Sequence, residues 1–184
     1  AAVSGLLHDG MVRGPAWRVL DVGRRIERAR NTAALLRTSL SSPQPVDRPI
    51  LRALLEVIDC RMTYRARYMD SLRQNAVLDL CITDETCPRS IGSQLVALVE
   101  HVDALPGNDP NLLRSDEKRI VMSAVHTARM ISAEQLDERP PQGIVERVTA
   151  IECQLKQLIE TLSRKYLLHS GTPRQINVEL ELNQ

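Results

Sequence analysis

The chain has 184 residues, of which 43% are hydrophobic, and its 24 basic and 23 acidic residues leave a formal net charge of +1. A chain of this length and composition buries one sizeable core, which predicts a single domain. Its balanced charge and scarcity of aromatic residues (one Trp, three Tyr, no Phe) argue against nucleic-acid binding, and also against binding to an anionic membrane surface.

The first predicted element is a long helix over residues 15–39. Its apolar positions recur in steps of four and three, the spacing of helices packed side by side in a bundle: Val22, Ile26, Ala29, Ala33 and Leu36. The opposite face carries Trp17, Leu20 and Leu35, with polar residues between them. A face with tryptophan and leucine is not typical of full exposure, so we expect other helices or a partner to cover it at least partly.

Segments rich in Pro and Gly divide the following residues into five more predicted helices, over residues 49–68, 76–82, 88–105, 115–136 and 143–168. Thr86 is the expected N-cap of the helix that starts at Pro88, and Ser115 the N-cap of the next. Connections of these lengths favour antiparallel neighbours. The sequence therefore predicts an all-α fold, an antiparallel bundle of five to six helices that forms one domain over residues 1–170.

Residues 171–184 depart from the helical pattern. Ile176, Val178, Leu180 and Leu182 alternate with polar residues, a period of two that is typical of a strand. No other segment is predicted to be a strand, so a strand here would pair with a partner or with a second copy of the chain. We expect an extended tail, with pairing in a homo-oligomer as the alternative.

Metal and cofactor sites are not predicted. The four cysteines, Cys60, Cys81, Cys87 and Cys153, lack metal-binding spacing and are expected to be free, buried thiols. No HExxH, GxGxxG, P-loop or GxSxG motif occurs. No apolar run approaches the roughly 20 residues of a membrane-spanning helix, and no signal-peptide pattern is present. We expect a soluble, cytoplasmic protein.

Three segments carry a family resemblance: MVRGPAWRVLDVGRRIERARNTAALL at 11–36, MTYRARY at 62–68 and VLDLCITDETCPRSIGSQL at 77–95. In order and spacing they resemble the alpha-E domain of bacteria, over roughly residues 5–168. The chain looks like the C-terminal part of that domain, which implies that the family's upstream helices are missing from it. It differs from the family pattern at Cys87, where Asn is frequent, and at Gly92 and Ser93.

The resemblance implies a pathway association rather than a reaction. Alpha-E proteins are usually encoded beside, or fused to, a circularly permuted ATP-grasp-type ligase, and often beside a transglutaminase-like protein. They are suspected of taking part in making or modifying amide or peptide bonds. The resemblance implies no particular mechanism, and an accessory or scaffold domain that docks onto such a ligase is one hypothesis for this chain.

Polar residues from three predicted segments form a candidate site. Arg24, Glu27, Arg28 and Asn31 are neighbours on the first helix by their spacing. The end of the second helix and the turn before Ser90 add Tyr64, Arg65, Arg67, Asp84 and Arg89. Arginine forks with carboxylates and tyrosine hydroxyls could hold a carboxylate- or phosphate-bearing substrate, with Glu27 as general acid or base.

Two interpretations of these residues stay open. The arginines and carboxylates could pair with each other in a structural network, as a partly buried Glu27 would require, and the domain would then be a non-catalytic accessory. Alternatively, the domain is an enzyme or ligand-binding module that acts on an amide or acyl-phosphate intermediate. We favour the first, because every motif has a structural explanation and no nucleophile–base pair is visible.

Overall fold

The computed structural model describes residues 10–42, 46–69, 71–106 and 115–167, and these residues form helices and turns without a strand. The helices in chain order are α1 (Pro15–Leu40), α2 (Arg48–Val57), α3 (Arg61–Tyr68), α4 (Gln74–Ile82), α5 (Ile91–Asp103), α6 (Asp116–Arg129), α7 (Ala133–Asp137) and α8 (Gln142–Leu162). A π-helical turn, Ser163–Leu167, continues α8. The all-α prediction is confirmed, and the predicted tail over residues 171–184 lies outside the described residues.

Four long helices, α1, α5, α6 and α8, form a ring in which each packs against two neighbours. The direction of α1 relative to α5 follows from two contacts. Asp21 accepts a hydrogen bond from His101 near the end of α5, whereas Arg25, one turn later in α1, reaches Gln94 near the beginning of α5. The two helices are therefore antiparallel, as expected for neighbours in this bundle.

The centre of the ring is filled by apolar seams, among them the one that the sequence predicts for α1. Each of the seam residues of α1 is at most 3% exposed: Val22, Ile26, Ala29, Ala33 and Leu36. The facing seam of α8 is fully buried, with Ile144, Val148, Ile151, Leu155 and Leu158 all at 0%. Burying each large aliphatic side chain contributes about 1.5–3 kcal/mol, so these seams contribute substantially to the bundle's stability.

Two of the six predicted helices are each divided in the structure, which gives eight helices among the described residues. The predicted helix over 49–68 breaks into α2 and α3 at Asp59, whose φ of 60° is left-handed and cannot continue a helix. The one over 115–136 breaks before α7, where Ser132 and Gln135 form a capping box. Hydrophobic periodicity does not report such local breaks.

The start of α5 differs from the prediction. The helix begins at Ile91, and its N-cap is Ser90, whose hydroxyl accepts a hydrogen bond from the Ser93 amide at 2.9 Å. The predicted cap, Thr86, instead donates to Asp84. Ser115 does cap α6, as predicted.

The shorter helices α2, α3, α4 and α7 pack together and contact the ring through α1, α5 and α8. Cys60, Cys81 and Cys87 are free and buried among these elements, as predicted, but Cys153 on α8 is exposed, so its predicted burial is wrong. In the described part of the chain, no helix combines the length and apolar character that crossing a membrane requires.

Candidate functional site

A cleft of about 540 Å³ opens beside α1. Across from α1, its wall is formed by the end of α2 and by the turn before α5. The lining residues are Arg24, Glu27, Arg28, Asn31, Thr32 and Leu35 from α1, together with Val57, Ile58 and Arg89. We call it the arginine cleft. Five of the nine predicted site residues line this one cleft.

The sequence predicts that the face of α1 opposite its apolar seam is at least partly covered. In the structure, this back face is covered only at its ends. Trp17 is buried and packs edge-on against His101, with ring centroids 5.7 Å apart, and Leu35 is half-buried against the core. Between them, Glu27 and Asn31 are exposed. The middle of this face is therefore open to solvent at the arginine cleft.

Arg24 is held in the cleft by a buried carboxylate that the sequence analysis did not select. Asp21 accepts hydrogen bonds from Arg24 Nη2 at 2.7 Å and from Arg25 Nε at 2.6 Å, and His101 Nε2 lies 2.8 Å from it. Burial raises the pKa of Asp21, but the hydrogen bonds from the two arginines outweigh burial and hold the pKa below its usual range. The spacing of three and four residues along α1 is the signal that could have identified Asp21.

Arg28 carries the least compensated charge in the cleft. It makes no ion pair with any described residue, whereas Arg89 pairs with Asp59 at 2.9 Å. Partial burial lowers the pKa of Arg28, and the positive charges of Arg89, Arg25 and Arg24 lower it further. The cleft therefore has a surplus of positive charge that a bound anion would relieve.

Glu27 has no hydrogen-bond or ion-pair partner among the described residues. Because Glu27 is exposed, its carboxylate stays hydrated and needs no ion-pair partner, as a buried glutamate would. The predicted pairing of Glu27 with neighbouring arginines is thus not present in the part of the chain that the structure describes. Its carboxylate is available at the mouth of the arginine cleft.

Tyr64 and Arg65 do not line the cleft. Tyr64 is buried, its hydroxyl donates to the Ser71 carbonyl at 2.9 Å, and it accepts from the Arg73 amide at 3.2 Å. These bonds tie α3 to the segment that leads into α4. Arg65 is exposed and lines a separate small pocket of about 90 Å³.

Arg67 and Asp84 form a structural contact away from the cleft. Arg67 pairs with Asp84 and donates to the Thr86 hydroxyl at 2.8 Å. Asp84 also accepts from the amides of Thr86 at 2.7 Å and Cys87 at 3.0 Å. Burial raises the pKa of Asp84, but these hydrogen bonds bring it below its usual range. The structural interpretation therefore fits this pair.

The chemistry of the arginine cleft follows from its lining. Guanidinium groups present planar pairs of N–H donors that match carboxylate and phosphate oxygens, and Asn31 adds an amide that can both donate and accept. Serine, cysteine and histidine do not occur among its described lining residues. Nor does the described part of the chain contain a group of three or more His, Cys, Asp or Glu side chains arranged to hold a metal ion.

Comparison with known protein families assigns the chain to one of them. A family model described as "a predicted alpha-helical domain with a conserved ER motif" matches residues 1–167. The chain belongs to the Alpha-E family. Glu-Arg dipeptides occur at 27–28, 138–139 and 146–147, and both residues of the first dipeptide line the arginine cleft.

Curated relatives of this Alpha-E domain are longer proteins. Uncharacterized proteins of Mycobacterium bovis and of two Mycobacterium tuberculosis strains are 28% identical to it over 175 residues, which cover 92% of the chain and 20% of each relative. The chain therefore spans about a fifth of the length of the curated relatives it matches. No solved structure matches the chain.

Proposed function

We propose that this Alpha-E domain is a non-catalytic accessory domain whose arginine cleft binds the carboxylate or phosphate group of a substrate. The observation that carries the proposal is the convergence of Arg24, Arg28 and Arg89 on one open cleft. Arg28 lacks an ion pair among the described residues, and its pKa is lowered by burial and by the neighbouring arginines. Binding an anion would replace this repulsion with charge-assisted hydrogen bonds.

The partner in this proposal is a circularly permuted ATP-grasp-type protein, with a transglutaminase-like protein as a second component. Support comes from the family resemblance and from the chemistry of the cleft. A ligase of this type acts on a carboxylate and activates it as an acyl phosphate, and both groups are anions that arginine forks bind. The accessory domain would hold the substrate of the amide-forming or amide-modifying reaction, while the ligase supplies the catalysis.

Binding is favoured over catalysis by the surroundings of Glu27. A general base is usually oriented by a second group and placed beside a nucleophile. Glu27 has no partner among the described residues, and the one hydroxyl in the described lining belongs to Thr32, which is buried. The alternative, in which Glu27 acts as general acid or base on the same substrate, is tested by the variants below.

Substitution of Arg28 tests the binding proposal. We expect Arg28→Gln to weaken binding of inorganic phosphate and of succinate by about tenfold or more, because one charge-assisted hydrogen bond contributes about 1.5–3 kcal/mol. Titrations followed by NMR chemical shifts measure both affinities. Arg119→Gln is the matched control, since Arg119 is exposed on α6, outside the cleft. Equal affinities for the two variants would contradict the proposal.

The Glu27→Gln variant distinguishes the proposal of a non-catalytic accessory domain from the alternative that the domain is an enzyme. In a reaction reconstituted with a circularly permuted ATP-grasp-type protein, we expect turnover at saturating substrate within about twofold of wild type, because glutamine keeps a hydrogen-bond acceptor at this position. A general acid or base contributes about 10²–10⁴-fold, so a loss of that size would assign catalysis to Glu27. If the purified ATP-grasp-type protein neither binds the domain nor responds to it in turnover, the partnership is wrong.

A further inference from the structure

A second cleft, of about 400 Å³, lies along α1 and the end of α8. Its walls are mostly apolar, from Val19, Val22, Ile26, Leu105, Ile159 and Leu162. We call it the apolar groove. At 62% exposed, Leu167 shows that this lining is not fully covered by the described residues. Glu27 and Arg30 supply polar groups at its edge.

The arginine cleft and the apolar groove lie on opposite sides of one face of α1. We call this face, which is centred on Glu27, the ridge. Turning about 100° per residue from Glu27, the α1 residues of the cleft fall about 40–140° to one side, and those of the groove fall about 40–140° to the other. Glu27 lines both. One ligand could therefore occupy both clefts by crossing α1 beside Glu27.

Gly23 is the low point of this ridge. It lies in the interior of α1, one turn before Glu27, and it is exposed. A Cβ atom added to it would meet nothing within 4 Å, so no close packing requires a glycine here. Glycine destabilises a helix interior relative to alanine. Gly23 lines the apolar groove on the side next to Glu27, and a molecule that crosses α1 there would meet backbone rather than a side chain.

The polar groups on the ridge match an amide. Glu27 is a hydrogen-bond acceptor, Arg30 a donor, and the Asn31 amide is both. Neither Glu27 nor Arg30 makes an ion pair with a described residue, and Arg30 Nε is buried without a hydrogen-bond partner there. A peptide backbone offers both N–H and C=O groups to such residues, whereas a hydrocarbon chain offers neither.

We infer that the ligand of this domain is a peptide that ends in the arginine cleft and crosses the ridge at Gly23. Its C-terminal carboxylate binds the arginines, and an apolar side chain upstream occupies the apolar groove. A helix with its side chains is about 10–12 Å wide and an extended peptide covers about 3.3–3.6 Å per residue, so about three residues span the distance. The inference rests on the proposed function, because it requires the anion in the arginine cleft.

Three synthetic peptides test the inference with the whole chain: N-acetyl-Leu-Ala-Ala, its C-terminal amide and N-acetyl-Ala-Ala-Ala. We expect the first to bind at least tenfold more tightly than the amide, which lacks the carboxylate. We expect it to bind about fivefold or more tightly than the alanine peptide, which lacks a side chain for the groove. Calorimetric titration measures the three affinities.

Gly23→Gln tests the crossing point. We expect it to weaken binding of the leucine peptide by at least tenfold, because its side chain raises the ridge, and to leave inorganic phosphate binding unchanged. Its thermal midpoint should not fall, since a Cβ atom at this position meets nothing within 4 Å and glutamine favours a helix interior more than glycine does. Thr38→Gln, at an exposed position of α1 outside both clefts, is the matched control.

The outcomes separate the inference from the proposed function. If phosphate binding depends on Arg28 but the leucine and alanine peptides bind equally, or Gly23→Gln has no effect, the inference is overturned and the anion site remains. If Arg28→Gln changes neither phosphate nor peptide binding, both are overturned.

Discussion

Among single residues, Asp21 has the largest influence on the geometry of the arginine cleft. Its side chain is buried in the bundle and accepts hydrogen bonds from Arg24 and Arg25, with His101 Nε2 as a third neighbour at 2.8 Å. A buried carboxylate is stable only when such partners compensate for its lost hydration. Arg24 is thereby fixed where it lines the cleft, and the cleft depends on a residue outside its lining.

Asp21→Asn should lower the free energy of unfolding by about 1.5–3 kcal/mol, the contribution of a charge-assisted hydrogen bond. The neutral amide removes the charge that Arg24 and Arg25 share. Urea denaturation measures the change. Asp103→Asn is the control, because Asp103 is exposed and pairs only with Lys118 in the described structure, so its loss should cost less than about 1 kcal/mol. Equal losses would contradict the role of Asp21.

The sequence predicted the part of the site that lies on one helix. The spacing of Arg24, Glu27, Arg28 and Asn31 places them together on any regular helix, and the structure has them lining one cleft. Residues on other elements were harder to place. The sequence groups Tyr64 with this site, but it follows the break at Asp59, and a left-handed backbone angle leaves no signal in hydrophobic periodicity.

Among the helices, the contact between α4 and α5 depends on Gly92. A Cβ atom at this position would lie 2.8 Å from the Thr83 carbonyl oxygen and 3.1 Å from that of Ile82. Both are backbone atoms, which cannot rotate away as a flexible side chain can. The resemblance marks Gly92 as a departure from the family pattern, and the structure shows that the beginning of α5 fits against α4 only without a side chain.

Gly92→Ala should therefore destabilise the protein, by about 1–3 kcal/mol, the usual cost of overpacking. Chemical denaturation and thermal melting both measure it. Gly23→Ala is the matched comparison, because the same methyl group enters open space within a helix. It should instead stabilise the protein by about 0.5–1 kcal/mol. A stability loss in both variants would show that the two glycines do not differ in this way.

The number of helices shows which features of a helix the sequence patterns predict and which they do not. The seam of α1 was predicted residue by residue, because burial in a bundle imposes a regular period on a helix. The capping box of Ser132 and Gln135, which starts α7, lies inside a run that continues the apolar period, so two helices were predicted as one. The cap at Ser90 was missed because Pro88 is also a suitable first residue of a helix.

At the scale of the whole molecule, ionised carboxylates join separate parts of the bundle. Glu117 at the beginning of α6 is buried and pairs with Lys165 beyond the end of α8. Asp21 connects α1 with α5, and Asp84 connects the turn before α5 with Arg67 on α3. Stability of the whole fold should therefore depend on the charge state of these three carboxylates.

Acidification should destabilise the protein in two stages. Burial raises the pKa of Asp21, Asp84 and Glu117, but hydrogen bonds bring all three below their usual range. Their contribution is therefore complete above the unfolded pKa of about 4 and is lost as the pH falls through the folded pKa. Burial also lowers the pKa of His101, so the folded state disfavours its proton and stability begins to fall below about pH 6.5.

Urea denaturation at pH 7.5, 5.5 and 3 measures this profile, and we expect the free energy of unfolding to decrease at each step. His101→Gln should reduce the change between pH 7.5 and 5.5, because glutamine does not titrate there. Glu117→Gln should lower stability at pH 5.5 and reduce the further change below it, since the carboxylate no longer takes up a proton. A free energy that rises on acidification, or a first step unaffected by His101→Gln, would contradict the assignment of these groups.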